Sequence, residues 1–243
     1  MTTIGQQMKS PAAARTATRD SAGARALAAE AVGTVMLVAV IIGSGIMAAA
    51  LSPANMGVAL LINALATGMI LVVLITVLGP VSGAHFNPAV TFAFWLRGEV
   101  GTRVAIGFCA VQVAAGIAGT AAAHAMFGLD LLQIGSHARW GAGQWLGEAI
   151  ATFALVFTIL SALATRPAFV SAGVGLVVTV GIWSTSSTCF ANPAVTIARA
   201  LTDTFTAIRP QDSAAFVAVE FAAAALAAPF AGWLFARVAR PDP

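Results

Sequence analysis

Charge is what this 243-residue chain has least of. Only 9% of its residues are charged, against about a quarter in a soluble domain. Hydrophobic residues make up 59%, and the mean hydropathy is +0.92. That excludes a water-soluble globular domain and implies an integral membrane protein. The net charge of +3 comes largely from residues near helix ends, so it reports topology rather than a nucleic-acid face. Cysteine is nearly absent. Cys109 and Cys189 lie in or beside apolar sequence and form neither a disulfide framework nor a metal spacing. No second ligand stands near His85, so no metal and no cofactor is expected. No nucleophile–base–orienter set appears, which excludes an enzyme.

Apolar length is what the chain does have. Residues 1–25 are rich in Ala, Thr, Ser and Gln and carry Lys9, Arg15, Arg19 and Arg25. They read as a disordered cytoplasmic tail, with a short interfacial helix at its end as the alternative, ahead of a single channel-like domain over 26–240. The first apolar run begins near Ala26 and lacks a convincing cleavage site, so it reads as a span rather than a signal peptide. Six spans are predicted at about 26–50, 57–78, 103–127, 144–165, 170–187 and 213–238, each near the ~20 residues that cross a bilayer.

Between spans two and three, and again after span five, lies a segment of another kind. Asn87-Pro88-Ala89-Val90-Thr91 recurs as Asn192-Pro193-Ala194-Val195-Thr196, 105 positions later (192 − 87). Each copy is a helix start. The Asn oxygen can accept from a free backbone N–H, and Pro fits the first helical position. Each segment is too short and polar to cross alone, yet too apolar for a watery loop. A re-entrant loop with a half-length helix fits, since ~8–10 residues at 1.5 Å each reach only part-way across.

The halves match elsewhere. Glu30 precedes Thr34 by four residues in span one, and Glu148 precedes Thr152 likewise in span four. Gln112 and Glu220 sit mid-span in spans three and six. The chain therefore reads as repeat one (about 26–127) and repeat two (about 144–238). Three spans per repeat make the second copy inverted. With both termini inside, nine Lys/Arg fall on cytoplasmic segments, while only Arg139, Arg199 and Arg209 fall outside. Crowds of Ala and Gly in spans three and six mark where helices approach closely.

Two half-helices meeting at their N-termini aim their partial positive charges, roughly half an elementary charge each, at one place. A cation there loses hydration against an unfavourable potential. A neutral solute does not, and it can accept from the Asn87 and Asn192 amides. Backbone carbonyls of Gly83, Ala84, His85 and Phe86, and of Cys189, Phe190 and Ala191, are expected as free acceptors in a row. The pattern describes a proton-excluding pore for neutral hydrogen-bonding molecules.

On these residues the chain resembles the aquaporin/aquaglyceroporin (major intrinsic protein) family. Ser82-Gly83-Ala84-His85-Phe86-Asn87-Pro88-Ala89-Val90-Thr91 looks like its first signature and Asn192-Pro193-Ala194 like its second. The resemblance implies six transmembrane helices plus two re-entrant half-helices, one pore per protomer and a homotetramer in the lipid bilayer. It also implies that Glu30 and Glu148 are buried acids accepting from loop N–H groups, and it gives His85 a pore-facing position.

Family members that select water place Arg directly after the second Asn-Pro-Ala, where this chain has Val195. By the same resemblance the other filter positions fall at Thr67, Cys189 and Ile182, with Gly181 the alternative to Ile182. Such a ring would be wide, uncharged and largely apolar. The run from Phe190 to Phe205 resembles a bacterial subgroup associated with arsenic resistance, which implies arsenite, methylarsenicals and glycerol-sized solutes, and a bacterial inner membrane. An ordinary water/glycerol facilitator and an inverted-repeat secondary transporter are the alternatives. Arg199 lies four residues past Val195. It is expected to pair with Asp203 or to reach the surface, or else to stand in partly for the missing charge. Cys189 either fills space or is a reactive pore thiol. His124 and His137 are expected at an interface or in a loop.

Overall fold

The computed structural model describes residues 11–236, with side chains from Gly23 onward. Eight α-helices run in the order α1 (Pro11–Leu51), α2 (Met56–Ser82), α3 (Pro88–Leu96), α4 (Thr102–Met126), α5 (Ala142–Thr165), α6 (Val170–Ser184), α7 (Pro193–Arg199) and α8 (Pro210–Leu234). A 3₁₀ turn, Pro167–Phe169, leads into α6. Among the described residues six helices are long and apolar enough to cross a membrane; α3 and α7, at nine and seven residues, are the half-helices. The exterior is apolar, with Ile106, Met126 and Trp233 at 65, 68 and 72% exposure. A surface of that kind suits lipid.

Two boundaries correct the sequence reading. The disordered tail expected over 1–25 is helical from Pro11 onward, as part of α1; residues 1–10 lie outside the described residues. Proline fits a first helical turn, and the alanines at 12–14, 17, 22 and 24 have the highest helix propensity. Helix α2 also runs four residues past the expected end at 78, through Pro80 to Ser82. It stops at Gly83, whose φ of 91° is left-handed and whose N–H donates to the Gly79 carbonyl.

Small residues set the helix crossings. A Cβ on Gly68 would lie 2.6 Å from the Gly175 carbonyl, and one on Gly175 would lie 2.6 Å from the Gly68 carbonyl, where α2 meets α6. Gly119 abuts the Val35 carbonyl of α1, and Gly116 abuts the Ala194 carbonyl of α7. The alanine face of α8 (Ala224, Ala227, Ala228 and Ala231) packs on Ala89 and Ala93 of α3. Each half-helix thus packs on spans of both repeats: α3 on α4 and α8, and α7 on α4 and α8. That crossing brings their N-termini together.

Candidate functional site

Both Asn residues cap their helices as their chemistry dictates. Asn87 Oδ1 accepts from Ala89 N (2.8 Å) and Val90 N (3.4 Å). Asn192 Oδ1 accepts from Ala194 N (3.0 Å) and Val195 N (3.3 Å). Pro88 and Pro193 follow at the first helical position, with Ala89 and Ala194 wholly buried behind them. The amides do something the sequence does not announce. Asn87 Nδ2 donates to the Ala191 carbonyl (2.7 Å), and Asn192 Nδ2 donates to the Phe86 carbonyl (2.8 Å). The carbonyls of Phe86 and Ala191, expected to be free acceptors, are therefore engaged. Each amide keeps one hydrogen for another acceptor.

The approaches to the two caps share one backbone pattern. Gly83, Ala84 and Phe86 have φ of 91, 52 and 50°; Thr188, Cys189 and Ala191, each 105 residues later, have 62, 52 and 47°. His85 and Phe190 between them, and both Asn residues, have ordinary φ. A left-handed non-glycine residue costs roughly 1–3 kcal/mol, and such strain persists only where its surroundings enforce it. Here two buried carboxylates do so. Glu30 accepts from His85 N (3.0 Å), Phe86 N (2.7 Å) and Ser82 Oγ (2.6 Å). Glu148 accepts from Phe190 N (2.8 Å) and Ala191 N (2.7 Å). The serines repeat as well: Ser82 Oγ accepts from Ala84 N and Ser187 Oγ from Cys189 N. That pair, readable at the same 105-residue offset, extends the repeat by a residue that sequence reasoning missed.

Helices α4 and α8 brace this frame from behind. Gln112 Nε2 donates to Glu30 Oε2 (2.8 Å) and Thr91 Oγ1 (3.1 Å). In the other half Thr196 Oγ1 donates to Glu220 Oε1 (2.6 Å). Thr91 and Thr196 are the last residues of the two matching pentapeptides.

A slender cavity of about 60 Å³, with room for a few waters, follows both approaches. Ala84, His85, Phe86, Asn87, Cys189, Phe190, Ala191 and Asn192 line it; Gly83 does not. The four residues aligned as a filter, Thr67, Ile182, Cys189 and Val195, all line it too. Ile182 rather than Gly181 faces the cavity, because Gly181 underlies Cys189, with its missing Cβ 2.7 Å from Sγ. Thr67 Oγ1 is buried without a protein partner among the described residues. His85 stacks on Phe94 at 4.7 Å between ring centroids, and its Nδ1 lies 3.1 Å from Thr91 Oγ1.

Arg199 departs from expectation. It neither pairs with Asp203 nor reaches the surface: it is 6% exposed and lines the cavity. Its Nε donates to the Thr206 carbonyl (2.5 Å), and its guanidinium lies 3.4 Å from the Phe190 ring centroid. Asp203 instead accepts from Ser136 N (2.8 Å) and Oγ (2.7 Å), which hold its carboxyl below the usual range. The cavity that the four aligned, uncharged residues line thus has a cation beside them as well. Arg139, on the loop 127–141, was not singled out from sequence. It donates to the Ala207 and Ser187 carbonyls (2.9 and 3.0 Å) and to Thr188 Oγ1 (3.4 Å), steadying one approach. Burial lowers its guanidinium to about 10. His124, expected at an interface or in a loop, is wholly buried in the last turn of α4, against that loop. Its Nε2 lies 2.7 Å from Thr202 Oγ1, while His137 stays in the loop.

Known proteins share this fold. The profile described as Major intrinsic protein matches residues 17–184. Aquaglyceroporin AqpS of Rhizobium meliloti (strain 1021) is 49% identical over 196 residues, covering 81% of this chain and 83% of that protein. The chain belongs to the major intrinsic protein family. A lens fiber major intrinsic protein of Lithobates pipiens is 43% identical over 72 residues, 30% of this chain and 26% of its own length. The X-ray structure of the aquaglyceroporin from Plasmodium falciparum matches the fold with a TM-score of 0.65 at 19% identity, covering 89% of this chain and 96% of that one. The major intrinsic protein fold accounts for the six spans, the paired half-helices and the cavity between them.

Proposed function

We propose that the chain is a passive channel for small neutral solutes: glycerol-sized polyols, arsenite and methylarsenicals, with water as a further permeant, and with protons and ions excluded. The observation that carries this reading is the meeting of two capped half-helix starts beside one slender cavity. Both macrodipoles turn their positive ends to that point, and each Asn amide keeps one donor for a solute oxygen. At the level of Val195 the ring of Thr67, Ile182, Cys189 and Val195 carries no charge and offers one hydroxyl, Thr67 Oγ1. That suits a solute larger than water with both apolar and polar surface. The relative named an aquaglyceroporin supports the polyol class.

The channel would work as a homotetramer with one pore per protomer, in a bacterial plasma membrane, both termini cytoplasmic. The excess of Lys and Arg on the segments assigned inside supports that orientation. A coupled secondary transporter fits less well, because Glu30, Glu148 and Glu220 each already hold backbone or side-chain donors. An ordinary water/glycerol facilitator is the second reading, favoured by the cation that Arg199 brings to the cavity. Uptake of water, glycerol, arsenite and methylarsenicals by the same proteoliposomes separates the two. Arsenical flux comparable to that of glycerol supports the first; glycerol and water flux without arsenicals leaves the second. Appreciable proton or sodium current would overturn both.

A further inference from the structure

We infer that Arg199 is a specificity-determining residue of this channel: a pore-facing cation, one helical turn beyond Val195, that rejects cationic solutes and donates to neutral ones. The inference rests on the channel reading above. Two residues four apart share a helix face, and one turn is about 5.4 Å, so Arg199 follows Val195 along the same side of α7. Its charge has no counter-ion: the salt bridges among the described residues join Arg97 to Glu99 and Arg209 to Asp212. Nε is tied to the Thr206 carbonyl, while Nη1 and Nη2 have no protein acceptor among the described residues. A guanidinium has five N–H donors, so four are left without a protein acceptor on a residue that lines the cavity.

The repeat gives an independent reason to read the placement as built. Subtracting the 105-residue offset maps Phe190 onto His85 and Arg199 onto Phe94. In repeat one Phe94 stacks on His85, 4.7 Å between centroids; in repeat two Arg199 lies over Phe190 at 3.4 Å. The same half-helix position covers the same approach residue in both halves. One half uses a neutral ring there and the other a cation. Among the described residues, the full charge on the cavity lining therefore sits at one end, beyond the dipoles at its centre.

Urea and guanidinium are nearly alike in size and shape but differ in charge, so their flux ratio reads this site directly. The full chain, Arg199→Gln and Arg199→Lys would be reconstituted, and urea and guanidinium uptake measured in the same vesicles. Arg199→Gln should raise the guanidinium-to-urea ratio by about tenfold or more, while Arg199→Lys should keep it near the original value. An unchanged ratio in Arg199→Gln with urea flux intact would overturn the assignment. So would an equal rise in both variants, which would trace the effect to the Thr206 contact. If Arg199→Gln does not insert, Arg199→Met, of similar length and without charge, is measured in its place and read in the same way. Failure of both to insert would make Arg199 part of the scaffold and reject the inference. An unsubstituted chain that passes neither urea nor glycerol would instead refute the channel reading.

Discussion

Asn192 donates its side-chain amide to the Phe86 carbonyl at 2.8 Å, joining two loops that lie 106 residues apart. Asn87 makes the reciprocal bond to Ala191. The cap oxygen and the cross-linking amide are thus opposite ends of one side chain. Asn87→Asp or Asn192→Asp keeps the cap but removes the cross-link and puts a negative charge where two positive helix ends meet. Either variant should gain cation conductance of at least about tenfold. Ion flux measured alongside glycerol uptake in proteoliposomes checks this; unchanged ion exclusion would show that the dipoles are not the barrier.

Glu148 and Glu220 should respond differently to the same change. Glu148 uses its two oxygens on two separate amides. Glu148→Gln turns one oxygen into a donor and orphans Phe190 N or Ala191 N, at about 1–3 kcal/mol. Glu220 occupies the place that Gln112 fills in the other half, so Glu220→Gln should cost less than about 1 kcal/mol. Thermal unfolding in detergent compares them, and a Glu220→Gln loss as large as that of Glu148→Gln would refute the correspondence.

Val195→Arg should narrow the cavity beside Thr67 and Cys189 and place a second cation one turn from Arg199. Glycerol flux should fall by about tenfold or more, with water flux reduced less. Osmotic swelling with each permeant measures both, and equal losses would move the constriction elsewhere.

Cys189 lines the cavity, whereas Cys109 lies in an apolar groove with Phe92, Trp95 and Phe221. Any block of glycerol flux by a mercurial should therefore disappear in Cys189→Ser. A block that survives in Cys189→Ser and vanishes in Cys109→Ser would reverse the assignment.

Much of the scaffold is legible in the sequence because it is local. Apolar length gives the spans and Asn-Pro gives the caps, whereas the anchoring role of Glu30 and Glu148 is reached only through the family resemblance. The misplacement of Arg199 has a local cause too. Pairing four residues apart holds inside a helix, but α7 ends at Arg199, so Asp203 lies in the turns beyond and finds Ser136. The cross-links between the Asn amides and the opposite carbonyls have no local signal, since their partners are brought together only by the packing of α3 and α7 between both repeats. Arg139 is hidden likewise. Its two shorter bonds go to backbone carbonyls 48 and 68 residues away, and a carbonyl leaves no mark in a sequence.

The reciprocal Asn bonds also bear on how such a chain can be completed. When the first three spans have entered the bilayer, the Phe86 carbonyl and the Asn87 amide still lack the partners they will use, because Asn192 and Ala191 lie roughly a hundred residues further on. The first loop is left with polar groups in an environment that offers few substitutes. Final closure of the first half therefore waits on insertion of α7. A chain cut after α4 should hold its first loop loosely, open to proteases or water in a way the full-length protein is not.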